Sequence, residues 1–123
     1  MTVSKQIKSK ISKEGLLTIS LDEVNVPDPS DGEVLIKVQA TPINPSDLGL
    51  LVGPADVSSL KEVEKGSIVE MKVPDGLIRS VAARFDQNLP VGNEGSGIVE
   101  SAGKGAEHLL GKTVGLAGGA MYS

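Results

Sequence analysis

The sequence predicts a mainly β domain, its strands folded into a partly open, barrel-like arrangement with two short helices between them. Three observations carry this. Aliphatic runs of strand length recur along the chain, and in the clearest, Glu33 to Ala40, apolar and polar residues alternate with the two-residue period of a pleated strand. Fifteen glycines and seven prolines interrupt these runs at short intervals, which suits turns and leaves no room for long helices. Many short strands leave many edges, and closing or folding the sheet is one way to hide them.

The segments Gln6 to Ser12 and Leu16 to Val24, separated by Glu14-Gly15, predict a hairpin. Val26 to Gly32 then breaks regular structure, because Pro27 and Pro29 remove backbone donors and Asp31-Gly32 favours a turn. The strand over Glu33 to Ala40 places Val34, Ile36 and Val38 on one face. In Pro42-Ile43-Asn44-Pro45-Ser46-Asp47-Leu48 a helix starts: Asn44 accepts from orphan amides, Pro45 suits the first helical position, and Asp47 faces the positive end. That helix runs to about Val52, where Gly53-Pro54 stops it.

Ala55 to Val73 is polar and weakly patterned, with an edge strand expected at Ser67 to Val73. Leu77, Ile78, Val81, Ala82 and Phe85 draw one apolar stripe on a helix, a packing surface rather than a substrate wall. Strands follow at Gly95 to Ala102 and Lys112 to Ala117, joined through the turn Gly103-Lys104-Gly105 and a helical turn over Ala106 to Leu110 that Gly111 stops.

With 123 residues, one continuous core is expected, and with Phe85 and Tyr122 the only aromatics it must be built from Val, Ile, Leu and Ala. The same scarcity argues against a stacking platform for single-stranded nucleic acid, and a net charge of -4 argues against a phosphate-neutralising surface. Lys5, Lys8, Lys10 and Lys13 read as a solvated strand face. The chain has no cysteine, so disulfide and thiolate chemistry are excluded, and the composition suits a reducing cytoplasm. No apolar run approaches the ~20 residues a spanning helix needs, and no hydrophobic signal segment follows Met1, so no membrane partner is expected.

The stretch Pro90 to Glu100, PVGNEGSGIVE, sets Asn93 and Glu94 among Gly92, Gly95 and Gly97. Such glycines by themselves form a tight turn into a strand, with no further role for the polar pair. His108, beside Leu109 and Leu110, shows no partner constellation and reads as a surface or helix-end histidine. Tyr122, just after a strand, reads first as a packing residue, with reach into a cleft as the alternative.

Three ordered blocks, GEVLIKVQATPINPSDL, PVGNEGSGIVESAGKG and LLGKTVGLAGGAMY, resemble the N-terminal, GroES-like catalytic domain of the medium-chain dehydrogenase/reductase superfamily. The likeness is to its zinc-free quinone oxidoreductase and enoyl-thioester reductase branches, and covers about Glu33 to Val52 and Leu89 to Tyr122. The resemblance implies a GroES-like partly open barrel over residues 1–123, one part of a two-domain α/β oxidoreductase whose Rossmann cofactor domain is absent from this chain. The zinc-containing alcohol dehydrogenases of the superfamily carry Cys where this chain has Asn44, and Gly-His-Glu where it reads Gly92-Asn93-Glu94. Three side-chain ligands ordinarily hold catalytic zinc, so the usual site cannot be assembled here, and hydrogen bonds must polarise the substrate instead.

The chemistry so implied is hydride transfer from NADPH to a quinone or an α,β-unsaturated carbonyl, without zinc, in a cytoplasmic enzyme whose full-length parent is a homodimer. Asn44, Asp47, Asn93 and Glu94 are the candidate catalytic residues, and Asn44 also the candidate contact to the cofactor. Asn44 remains open to a capping role, and Asn93 and Glu94 to a turn role. The Tyr that enoyl-thioester reductases carry after the Asn-Pro-Ser-Asp motif is missing from Leu48 to Pro54, which weakens that branch. Ala55 to Asn88 is longer than the usual connection and reads as a family-specific insertion. The segment Gly115 to Gly119 is not followed by a recognisable helix, and the chain stops just after an apolar strand, so truncation and inactivity in isolation are expected. The competing expectation is a stand-alone GroES-like binding module without catalysis.

Overall fold

Gly15, at φ 84°, makes the tight connection between β1 (Thr2–Ile11) and β2 (Leu16–Val26), and a side chain there would collide with Ile78. The hairpin is the predicted one with longer arms, pairing in register from Thr2↔Val26 to Ile11↔Leu17. The computed structural model describes residues 1–122, which form two antiparallel sheets, open and not closed into a barrel. The larger sheet has the order β4-β5-β2-β1-β6, with β4 at Asp56–Glu64, β5 at Ile68–Lys72 and β6 at Leu89–Pro90. The smaller has the order β3-β7-β8, with β3 at Val34–Ala40, β7 at Glu94–Ala102 and β8 at Thr113–Ala117.

One expectation is corrected at residues 55–73. The strand there is not an edge strand: β5 lies inside the sheet between β2 and β4, and β4, which the sequence did not reveal, takes the edge. Irregular pairing between Asp56 and Lys61, and again between Glu62 and Glu64, interrupts the two-residue alternation, which erases the pattern by which a strand is read. The two-residue β6 is too short to leave any pattern.

The stripe that begins at Leu77 is also corrected in kind. Asp75–Arg84 is a 3-10 helix, in which residues three apart eclipse. Ile78, Val81 and Arg84 are accordingly its partly buried residues, while Leu77 and Ala82 face solvent. Ile78, Val81 and Phe85 pack on a core made by Ile11, Leu17, Met71 and Val73, so the packing role expected of the stripe holds for them.

Helix α1 (Pro45–Leu51) starts at Asn44 and ends at Val52, as predicted. Its C-terminal carbonyls are tied down by one cation: Arg84 donates to Gly49 O at 3.0 Å and, more weakly, to Leu50 O at 3.5 Å, while Ser9 Oγ also donates to Leu50 O. This fastens the far end of α1 to β1, and leaves its first turn facing the loop before β7.

Candidate functional site

Asp47 is fully buried, which for a carboxylate requires compensating donors. Three converge on it. The backbone N–H of Asn44 donates to Oδ2 at 2.8 Å, the amide of Asn93 donates to Oδ1 at 3.2 Å, and the Tyr122 hydroxyl donates to Oδ2 at 3.2 Å. The first of these caps the start of α1; the other two come from β7's approach and from the last described turn of the chain.

Around this centre the side-chain amide of Asn44 donates to Glu94 Oε1 at 3.0 Å, and the amide of Asn93 also donates to Ser46 Oγ at 2.7 Å. The four candidate residues, Asn44, Asp47, Asn93 and Glu94, therefore stand together although about fifty positions separate the two pairs. Ser46 joins them, and its neighbourhood to Asp47 in the first block was the available signal. Asn93 and Glu94 are exposed and Asn44 half-buried, so the cluster opens to solvent on the Glu94 side.

Gly92 explains the glycine-rich setting. At φ 102° it holds a conformation that other residues resist, and a Cβ there would meet Met121 at 2.8 Å and the Tyr122 ring at 2.9 Å. The chain after β8 passes this close because Gly118 N–H donates to Asn93 O, Tyr122 N–H to Val91 O, and Ile7 N–H to Tyr122 O. Of the two expectations for Tyr122, the less favoured one describes its hydroxyl, which reaches both Asp47 and, at 3.1 Å, Pro42 O. Burial, then the hydrogen bond to Asp47 and its negative charge, push the phenol above its ordinary range. It stays a neutral hydroxyl at physiological pH.

Beside the cluster, a recess of about 480 Å3 opens between the sheets, walled by Ile7, Leu21, Val38, Ile43, Met121 and Tyr122, with Lys5 and Gln39 also on its lining. A second, of about 540 Å3, lies against Thr41, Pro42, Glu94 and Gly95. Among the described residues, no group of three or more His, Asp and Glu side chains is placed to hold a metal ion. His108 sits exposed on the 3-10 turn Glu107–Leu109, outside the cluster.

No protein-family model matches the chain. Over 39 residues it is 49% identical to a zinc-type alcohol dehydrogenase-like protein of Schizosaccharomyces pombe (strain 972 / ATCC 24843), a stretch that is 32% of this chain and 12% of that relative. The similarity supports an oxidoreductase-family domain. At that coarse level it agrees with the superfamily resemblance and with the mainly β, open-sheet fold. Among the described residues, no helix is long and apolar enough to cross a membrane.

Proposed function

We propose that the chain is the substrate-side domain of a zinc-independent, NAD(P)H-dependent oxidoreductase that transfers hydride to a quinone or an α,β-unsaturated carbonyl. The observation supporting this is the meeting of two separate sequence blocks at one polar cluster, with Asn44 and Asn93 at the positions where zinc enzymes of the resembled superfamily carry metal ligands. The nicotinamide, held mainly by a domain outside this chain, supplies the hydride.

In this reading the residues divide their work by their free valences. The Asn44 amide nitrogen carries two hydrogens and gives one to Glu94, so the second is available to a substrate oxygen or to the nicotinamide amide. Glu94 orients that amide. Asn93 has both acceptors, Ser46 and Asp47, inside the chain, and Asp47 fixes the backbone of Asn44, so both are positioning residues. Donation from Asn44 to an oxygen on which negative charge develops lowers the barrier without a metal.

The test is made on the full-length parent, with NADPH and NADH against menadione and a simple enone. Nicotinamide-dependent reduction that survives a zinc chelator and falls about tenfold to a hundredfold in kcat/KM for Asn44→Ala is expected. Loss of all activity on chelation, or no nicotinamide oxidation with any acceptor, overturns the proposal. A second reading, a binding module without catalysis, draws on one feature: most polar groups of the cluster are already paired within the chain. It gains if the parent folds and oxidises neither nicotinamide.

A further inference from the structure

Alternate residues of a strand point to the same side, so β1 carries Lys5, Ile7, Ser9 and Ile11 on one face. That face is the inner one, since Ser9 and Ile11 are fully buried and Ile7 is half-buried. Lys5 continues it to the exposed rim and, with Ile7, lines the recess of about 480 Å3 between the sheets. Glu23 stands opposite Lys5 in the β1–β2 register, yet the two form no ion pair and Glu23 is not on the lining. Among the described residues no other carboxylate pairs with Lys5. Six lining side chains, Ile7, Leu21, Val38, Ala40, Ile43 and Met121, are apolar, and Lys5 is the one that is charged. Gln39 and Thr41 add neutral N–H and O–H groups to the same lining. In a chain of net charge -4, this recess therefore sets an unbalanced positive charge beside apolar walls.

We propose that the recess binds a small apolar molecule bearing a carboxylate, its body against the apolar walls and its anion held by the Lys5 ammonium. The volume lies within the range of small-molecule sites, about 300–1,000 Å3. The two parts of such a ligand contribute differently. Burial of the body supplies most of the affinity, in proportion to the apolar area removed from water. The ammonium, exposed at the rim, adds a smaller increment and fixes which end of the ligand points outward. An apolar cation meets like charge there, and a neutral molecule leaves Lys5 without a partner. This deepens the oxidoreductase reading and rests on it for the role of the ligand: the hydride acceptor is then a quinone or an α,β-unsaturated carbonyl compound that also carries a carboxylate.

The probes are 2-naphthoate, its neutral isostere 2-naphthamide and the cation 2-naphthylmethylammonium, titrated into the 123-residue chain and followed by calorimetry and amide chemical shifts. The naphthoate is expected to bind about threefold to tenfold more tightly than the amide, with the cation weakest, and the ratio shrinks as salt is raised. Lys5→Met keeps an apolar stem, removes the charge and brings naphthoate and naphthamide to equal affinity. Lys10→Met removes the same charge from the other face of β1 and leaves the ratio unchanged. Ile43→Ser alters a wall residue that is 70% exposed, keeps the fold, and weakens all three probes without changing their order. Equal affinities in the unaltered chain, a preference that persists in Lys5→Met or disappears in Lys10→Met, binding untouched by Ile43→Ser, or no binding each overturn the proposal. Hydride transfer by the parent is a separate readout: its absence beside an intact naphthoate preference sinks the oxidoreductase reading and leaves this site standing. A parent that reduces plain and carboxylate-bearing naphthoquinones with the same KM overturns the substrate class named here and leaves the oxidoreductase reading intact.

Discussion

Replacing Asp47 tests the hub of the cluster most directly. In Asp47→Ala the donors lose their common acceptor, but unequally. Asn93 keeps Ser46 Oγ and Tyr122 keeps Pro42 O, so neither is left without a partner. Only the Asn44 backbone N–H, half-buried at the start of α1, is left bare. Loss of the cap costs about 1 kcal/mol, and the unpaired amide together with the small void adds roughly as much again, giving about 2 kcal/mol. For a domain of this size that lowers Tm by about 8 °C. Asp47→Asn behaves differently. Its remaining oxygen can take the Oδ2 position, where two of the three donors point, and its NH2 then faces Asn93, whose own amide turns over to accept. The expected cost is under about 1 kcal/mol. Urea denaturation of both variants, followed by far-ultraviolet circular dichroism, measures the difference. If Asn costs as much as Ala, or Ala costs less than about 0.5 kcal/mol, the carboxylate is not the hub described here.

Three further outcomes are expected. The chain has one tyrosine and no tryptophan, so absorbance titration reports Tyr122 alone: it ionises above the ordinary phenol range, and Asp47→Ala returns it towards that range. Since the folded value is raised, its contribution to stability is present below the unfolded phenol pKa and is lost as pH rises through the folded value; a normal titration in the unaltered chain contradicts the Asp47 contact. Gly97→Ala would drive a Cβ into the Lys37 carbonyl oxygen across the β3–β7 pair, and a loss of roughly 3 kcal/mol in denaturant unfolding is expected. Arg84→Met removes the donors on the last turn of α1 and costs about 1 kcal/mol, with Arg84→Lys intermediate; unchanged stability in both refutes the anchoring of that helix.

What the chain revealed before folding follows from how local each signal is. Helix α1 was legible because Asn44, Pro45 and Asp47 mark a helix start within four residues, and Gly53-Pro54 mark its end. The β1–β2 hairpin and β3 were legible from alternation and from glycine at the turn. Strand β4 escaped because its irregular pairing breaks that alternation, and the 3-10 helix at Asp75–Arg84 escaped because the spacings of Ile78, Val81 and Phe85, three and four residues apart, also fit the stripe of an α-helix. Asn44, Asp47, Asn93 and Glu94 were singled out through a resemblance, whereas Tyr122 was underestimated because its value lies in a contact with a residue 75 positions earlier.

The sequence by itself determined the class of fold, the places where helices and turns begin, and a donor set of amides and carboxylates without a thiol; these depend on side-chain identity and on neighbours a few residues apart. Tertiary structure alone decided that Asp47 is buried, that Asn93 and Tyr122 both reach it, and that Tyr122 also lines a recess between the sheets. The physical reason is that burial and hydrogen bonding across tens of residues depend on how two sheets lie against one another. Sheet order and packing set that relation, and no local pattern in the chain encodes it.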